Sequence, residues 1–323
     1  MTDPKLSVRM YTACATALAR IDGQQVSETK LADYFMQRLA DDKTPAAQRA
    51  VLLRQVPTSH KLLTIPLLQK LGDSEDLALR REAVRALVDH PSSLRFVPLL
   101  DVLDSPSYGT HLRGYAMLGL LDKPDKLLPR LERLVGNAKS PLKADAERAM
   151  LGFEIKPGQG FTRPLEKDRP PAKDVGAWLK RLDGSADPEA GERIFFHPKL
   201  ANCAKCHRID GRGADVGPDL SNIGRLERRA LLESILQPSN NIAPRYVAWV
   251  IELHNGKVMT GTLLHTHLDE YTFLDSNAGQ FKVKTGDIAE QRAATVSIMP
   301  DGLVDRLTDQ EVRDLLAYLQ SRK

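Results

Sequence analysis

The chain has 323 residues and an ordinary hydrophobic content of 42%, which is enough for two or three domains with buried cores. Its formal net charge is only +4, and no basic stripe interleaved with aromatics occurs, so nucleic-acid binding is not expected. No apolar run reaches the roughly 18 residues of a membrane-spanning helix. Residues 1–20 have no apolar signal core, so we expect that a targeting segment is missing from this chain.

The first half of the sequence repeats with a period of 33 residues. Alanine recurs in segments predicted to be helical, at Ala17, Ala50, Ala83, Ala116 and Ala149. Proline follows three of these at a fixed offset, at Pro91, Pro124 and Pro157. We expect each proline to end a helix. Two helices per period predict a HEAT-like α-solenoid over residues 1–155, with an irregular helical bundle as the alternative. Cys14, on the first helix, is interpreted as a buried small hydrophobe.

A proline-rich segment follows the repeats. Residues 156–173 hold four prolines and show no helical period, which predicts an extended linker able to lie against either neighbour. The 33-residue period does not continue beyond it. Residues 174–323 are therefore predicted to form a separate domain.

The second domain contains a C-x-x-C-H motif at Cys203, Cys206 and His207. Two thiols three residues apart can add to the two vinyl groups of one haem, and the next residue places an imidazole beneath the iron. The motif therefore predicts one covalently attached haem c with His207 as an iron ligand. The alternative is half of a zinc site, which needs two more ligands, and only Cys14 remains as a thiol. The cysteine count also excludes a disulfide framework.

Two helices flank this motif. Asp187 and Pro188 are typical of a helix start, and residues 308–311 form a capping box before the last helix. In cytochromes c the first and last helices cross, with a small residue packed against an aromatic one. Gly191 and Tyr318 match that arrangement, together with Phe195.

Further residues are candidates for the iron site. Pro218 follows the motif at a position where cytochromes c use a proline carbonyl to accept the Nδ1–H of the proximal histidine. Met299 lies in a Pro- and Gly-containing loop before the last helix and is predicted to be the sixth ligand. Met259 is interpreted as a packing residue. The alternative sixth ligands are His197, His254, His265 and His267. An open sixth position is the remaining possibility.

A β-like insertion separates the two predicted ligands. Strands are predicted over residues 246–253, 257–265, 270–274 and 280–283, and Asn255-Gly256 is a strong hairpin signal. We therefore expect a small antiparallel sheet or barrel at about residues 245–295. The fold class is mainly α, with a solenoid followed by a cytochrome c fold that carries this β insertion.

The segment from Gly191 to Leu319, about 40% of the chain, resembles the planctomycete-type haem-binding domain, a cytochrome c-like family. The matching stretches are GERIFF, CAKCHRIDGRGADVGPDL, LLESILQPSNNIAPRY, NGKVMTG, SIMPDGL and LTDQEVRDLLAYL. The resemblance implies haem on Cys203 and Cys206, with His207 and Met299 as axial ligands. In that family the domain often ends large secreted proteins with helical repeats and a sugar-dehydrogenase-like propeller. No propeller is present here, so the resemblance does not carry dehydrogenase activity over to this chain.

The sequence thus predicts one-electron transfer by a His/Met haem c. An open sixth position would favour the alternatives, which are a dehydrogenase or peroxidase-like enzyme and a haem-based sensor. The expected partner is a redox protein, docked on the helical repeats or on basic residues near the haem. Those residues are Lys199, Lys205, Arg208 and Arg212. Haem attachment by this motif takes place outside the cytoplasm, so a periplasmic or other extracytoplasmic location is expected.

Overall fold

The computed structural model describes residues 28–151, 154–156, 160–162, 166–276 and 279–323, together with residues 10, 13, 14, 17 and 21. The chain divides into two compact units, residues 1–162 and 163–323. Helices are the main element, and one five-stranded antiparallel sheet lies in the second unit. The prediction of a mainly α chain with a small antiparallel sheet is confirmed. No helix in the described ranges is long and apolar enough to cross a membrane.

Four helix pairs and a short hairpin account for most of the described part of the first unit. The helices are α1 (Glu28–Ala40), α2 (Ala46–Gln55), α3 (Ile65–Gly72), α4 (Leu77–Asp89), α5 (Phe96–Asp104), α6 (Gly109–Gly119), α7 (Pro124–Gly136) and α8 (Lys143–Leu151). The hairpin joins β1 (Glu154–Lys156) to β2 (Gly160–Thr162). Its second strand lies within the predicted linker and pairs antiparallel with β1.

The recurring alanines occupy equivalent places on the second helix of each pair. Ala50, Ala83, Ala116 and Ala149 lie on α2, α4, α6 and α8, and each is at most 4% exposed. These four helices contact one another in chain order. The small side chain at the recurring position permits this close approach. Ala17 differs, because it is helical but exposed.

The recurring prolines have different roles. Helix α4 ends at Asp89, two residues before Pro91, as expected for a proline that cannot continue a helix. Pro124 is instead the first residue of α7, while α6 has already ended at Gly119. The expectation that Pro124 ends a helix is therefore wrong. A proline fits the first helical position because no N–H is needed there. Pro157 lies outside the described residues.

Polar contacts repeat along the first unit. Four hydrogen bonds each join residues that are 27 positions apart. They are His60 to Asp33, Arg80 to the Ser107 carbonyl, His90 to the Leu63 carbonyl and Arg95 to Asp122. Each of these bonds therefore joins segments that are separated along the chain by one or two helices.

The second unit combines four helices with the five-stranded sheet in its described part. The elements are α9 (Val175–Arg181), α10 (Pro188–Phe196), α11 (Arg228–Leu236), β3 (Ala248–Leu253), β4 (Val258–Thr266), β5 (Glu270–Leu274), β6 (Gln280–Lys284), β7 (Ile288–Ala293) and α12 (Asp309–Gln320). The strand order is β6-β5-β4-β3-β7, so β7, the last strand along the chain, pairs with β3, the first strand of this sheet. Ile251, Phe273 and Val283 form the buried core of the sheet.

Helices α10 and α12 pack against each other at Gly191. Asp187 caps α10, and Thr308 with Glu311 forms the predicted capping box of α12. A Cβ atom at position 191 would collide with the Asp314 carbonyl, so only glycine allows this approach. Close to this contact, the rings of Phe195 and Tyr318 lie 5.8 Å apart. This contact joins the segment before the C-x-x-C-H motif to the end of the chain.

Candidate haem-binding site

One turn of backbone places the two thiols and the imidazole of the motif together. Residues 203–205 form a short 3₁₀ turn after Asn202, which has a left-handed φ of 51°. The amides of Cys206 and His207 both donate to the Cys203 carbonyl, at 3.1 and 2.9 Å. The half-buried side chains of Cys203, Cys206 and His207 therefore all project from one tight turn and its end.

Both cysteines of the motif are free thiols. Burial raises the pKa of the Cys203 thiol to about 12, although the residue as a whole is half-buried. Burial also raises the pKa of Cys206, and the charge of Lys205 opposes this shift. Both sulfurs are therefore neutral thiols at ordinary pH. In the described part of the chain, no group of three or more His, Cys, Asp or Glu side chains is arranged to hold a metal ion.

His207 is held in the tautomer that a metal ligand needs. Its Nδ1 lies 2.9 Å from the carbonyl oxygen of Pro218. A carbonyl can only accept, so Nδ1 carries the proton and Nε2 keeps its lone pair. Burial lowers the pKa of His207, and the bond to Pro218 opposes that shift. The imidazole is thus neutral and oriented, as a haem-iron ligand must be.

The loop after the motif forms a cradle around His207. Gly213 has a φ of 101°, and a Cβ there would collide with the His207 carbonyl. A Cβ at Gly217 would lie 2.7 Å from Cε1 of the His207 ring. The amide of Gly217 also donates to the Cys206 carbonyl at 2.8 Å. Both glycines leave room for His207, and neither was predicted as a site residue from the sequence, although several glycines follow the motif.

This geometry fits a covalently held haem. Cys203 and Cys206 supply the two thiols, and Pro218 orients the imidazole of His207. Gly217 leaves no side chain against the imidazole, so the ring lies close to the backbone. These residues all lie between positions 203 and 218, whereas Met299 lies much later in the sequence of the second unit.

Met299 lies half-buried in the segment that precedes α12, which we call the methionine loop (residues 297–308). Its amide donates to Oγ of Ser297 at 3.1 Å, and the amide of Ser297 donates to Oγ of Ser239 at 3.1 Å. Gly302 turns the chain with a φ of 74°. The start of the loop is therefore bonded to the segment that follows α11.

The other candidate sixth ligands have different surroundings. Met259 lies on β4 and packs, partly buried, against the core of the sheet. His197 is 6% exposed, and its Nδ1 accepts the amide N–H of Lys199 at 3.1 Å. The remaining three are exposed residues of the inserted sheet and its turns: His254, His265 and His267.

Comparison with known families agrees with the site. The cytochrome c family model matches residues 188–272, from the start of α10 into β5. This segment is a cytochrome c-like haem-binding domain. The match spans about a quarter of the chain, contains the C-x-x-C-H motif, and ends before the methionine loop. No curated protein is significantly similar to the chain. The domain implies haem c as cofactor and haem-based electron transfer as the class of function.

Proposed function

We propose that the chain is a one-electron carrier with a single haem c, attached through Cys203 and Cys206 and ligated by His207 and Met299. The observation that carries the proposal is the Nδ1–H bond from His207 to Pro218, next to two free thiols. When bound, the haem supplies reversible one-electron chemistry at its iron. The chain supplies the ligands and fixes their orientation.

The two proposed ligands, His207 and Met299, have different effects on the iron. The carbonyl of Pro218 keeps the His207 ring fixed and makes Nε2 a better donor. The thioether of Met299 is a soft, neutral ligand that favours ferrous iron and raises the potential. If His207 and Met299 both bind the iron, no ligand position would remain for oxygen or peroxide. This saturation is what separates a carrier from the enzyme and sensor alternatives.

Spectra of the wild-type protein test the proposal. The oxidised protein should show the weak red band of sulfur-to-iron charge transfer, and the reduced spectrum should not change when carbon monoxide is added. Myoglobin, with an open iron position, serves as the positive control for carbon monoxide. Ready binding of carbon monoxide by the wild type would instead favour an enzyme or a sensor.

We also propose that an acidic redox partner docks near the motif. Lys199 and Lys205 are exposed there, while Arg208 and Arg212 are half-buried. The two lysines are therefore the better candidates for steering. Such charges act mainly on the association rate.

Salt dependence tests this docking surface. Electron transfer with a physiological partner should slow about tenfold or more from low to high ionic strength. Replacing Lys199 and Lys205 by glutamate should slow it at low salt, whereas Lys257→Glu, in the hairpin of the inserted sheet, should not. Reduction by an uncharged small molecule provides the salt-independent control. If the rate of electron transfer with the partner does not change with ionic strength, the proposal is contradicted.

The first unit is proposed to be a HEAT-like solenoid, which is the alternative docking surface for the partner. Support comes from the buried alanines at a 33-residue spacing and from the hydrogen bonds across 27 residues. Solenoids commonly present extended binding faces. An extracytoplasmic location is proposed because haem attachment to this motif takes place there.

A further inference from the structure

The second half of the methionine loop is bound by a single arginine. Arg169 donates through Nη1 to the carbonyl of Val304 at 2.8 Å and through Nη2 to the carbonyl of Leu307 at 2.6 Å. Its side chain is only 11% exposed, and both Val304 and Leu307 are buried. Arg169 precedes the family match and the methionine loop follows it, so the contact links two segments outside residues 188–272.

The same arginine is fixed to the start of α12. Nε and Nη2 of Arg169 both donate to Oδ1 of Asp309, at 3.1 and 2.9 Å. The other oxygen of Asp309 accepts Nε of Arg181 at 2.6 Å, and Arg181 also donates to the carbonyl of Asp168. The amide of Asp309 donates to the carboxylate of Glu166 at 3.2 Å. We call residues 166–169 the clamp.

These contacts need an arginine. A guanidinium has five donors in a planar fork, and Arg169 uses it to reach two carbonyls and one carboxylate at once. The ring of Trp178 lies 5.3 Å from the guanidinium carbon, which restricts the plane of the fork. A lysine has a compact ammonium group and cannot reproduce this planar geometry.

We propose that Arg169 is a positioning residue for the axial methionine, an inference that rests on the proposed ligation by Met299. The methionine loop lies wholly within the described residues and contains no helix or strand. Its conformation depends on two turn bonds of its own, from the amides of Asp305 and Leu307, and on contacts at its two ends. Ser239 holds the beginning, and the clamp holds the end. Releasing the clamp raises the population of loop conformations in which Met299 leaves the iron, and an external ligand binds in proportion to that population.

The test compares three variants of the whole chain with haem attached. Arg169→Ala removes all the clamp bonds of this side chain, and Arg169→Lys keeps the charge but not the fork. Arg313→Ala is the matched control, because Arg313 lies on α12 and bonds to Asp183 and Gln310 instead of the loop. Each variant is assayed for the red charge-transfer band, for cyanide binding to the oxidised protein, and for amide hydrogen exchange in residues 299–308.

In Arg169→Ala, the rate and affinity of cyanide binding should rise about tenfold or more. A factor of ten corresponds to about 1.4 kcal/mol. Amide exchange in the methionine loop should become faster, and the band should weaken. Arg169→Lys should show the same changes, and it replaces the alanine variant if that variant does not fold. Arg313→Ala should behave like the wild type.

The outcomes separate this inference from the proposed function. A wild type without the red band overturns Met299 ligation and this inference with it. A wild type with the band, together with Arg169 variants whose cyanide binding and loop exchange are unchanged, overturns the positioning role alone. Equal effects in Arg313→Ala would show a general loss of stability and would also overturn it.

Discussion

Replacing Cys203 and Cys206 by alanine should abolish covalent haem attachment completely. The two thiols are the only groups of the motif able to form thioether bonds, and they lie within one turn of each other. Haem in the wild type should stay with the denatured polypeptide through acid–acetone extraction and should add the mass of one haem. The double variant should release any haem it has bound, and its denatured mass should be that of the polypeptide alone.

Single variants refine this result. Cys203→Ala or Cys206→Ala should leave one thioether bond, which shifts the absorption maxima because one vinyl group stays unsaturated. Cys14→Ala is the matched control, since Cys14 is a half-buried thiol far from the motif in sequence. It should keep one covalent haem with wild-type spectra. Haem extractable from the wild type would contradict the central proposal, and a mass increase of two haems would contradict its stoichiometry.

Local signals in the sequence were sufficient for much of the candidate site. The C-x-x-C-H spacing predicts a single turn because it depends only on neighbouring residues, and the structure forms that turn at residues 203–205. The caps at Asp187 and Thr308 are local for the same reason. The contact between His207 and Pro218 spans 11 residues, and it was expected only by comparison with cytochromes c.

Contacts over long separations could not be predicted. The bond from Arg169 to Leu307 spans 138 residues, and nothing in the proline-rich text around Arg169 indicates its partner. The role of Pro124 was mistaken because a proline has the same local preferences after one helix and at the start of the next. Strand β7 was not among the named strands, because its sequence is polar and only its pairing with β3 makes it a strand.

Replacing Met299 by alanine should lower the reduction potential and should let external ligands bind to the iron. Loss of a thioether that favours ferrous iron should lower the reduction potential by on the order of 100 mV or more, within the roughly 0.8 V that axial ligands span. The red charge-transfer band should disappear, and the reduced protein should bind carbon monoxide. A redox titration and spectra with and without carbon monoxide measure these changes.

Two further variants identify the cause. Met299→His should also lower the potential, but it should keep the iron closed to carbon monoxide, because an imidazole replaces the thioether at the same position. Met259→Ala removes a methionine that packs against the sheet core and should leave the band and the potential unchanged. If Met299→Ala keeps the wild-type band and potential, another residue is the ligand. His197 is then the first to replace, because it is buried and lies at the end of α10, six residues before Cys203, whereas the histidines of the inserted sheet are exposed.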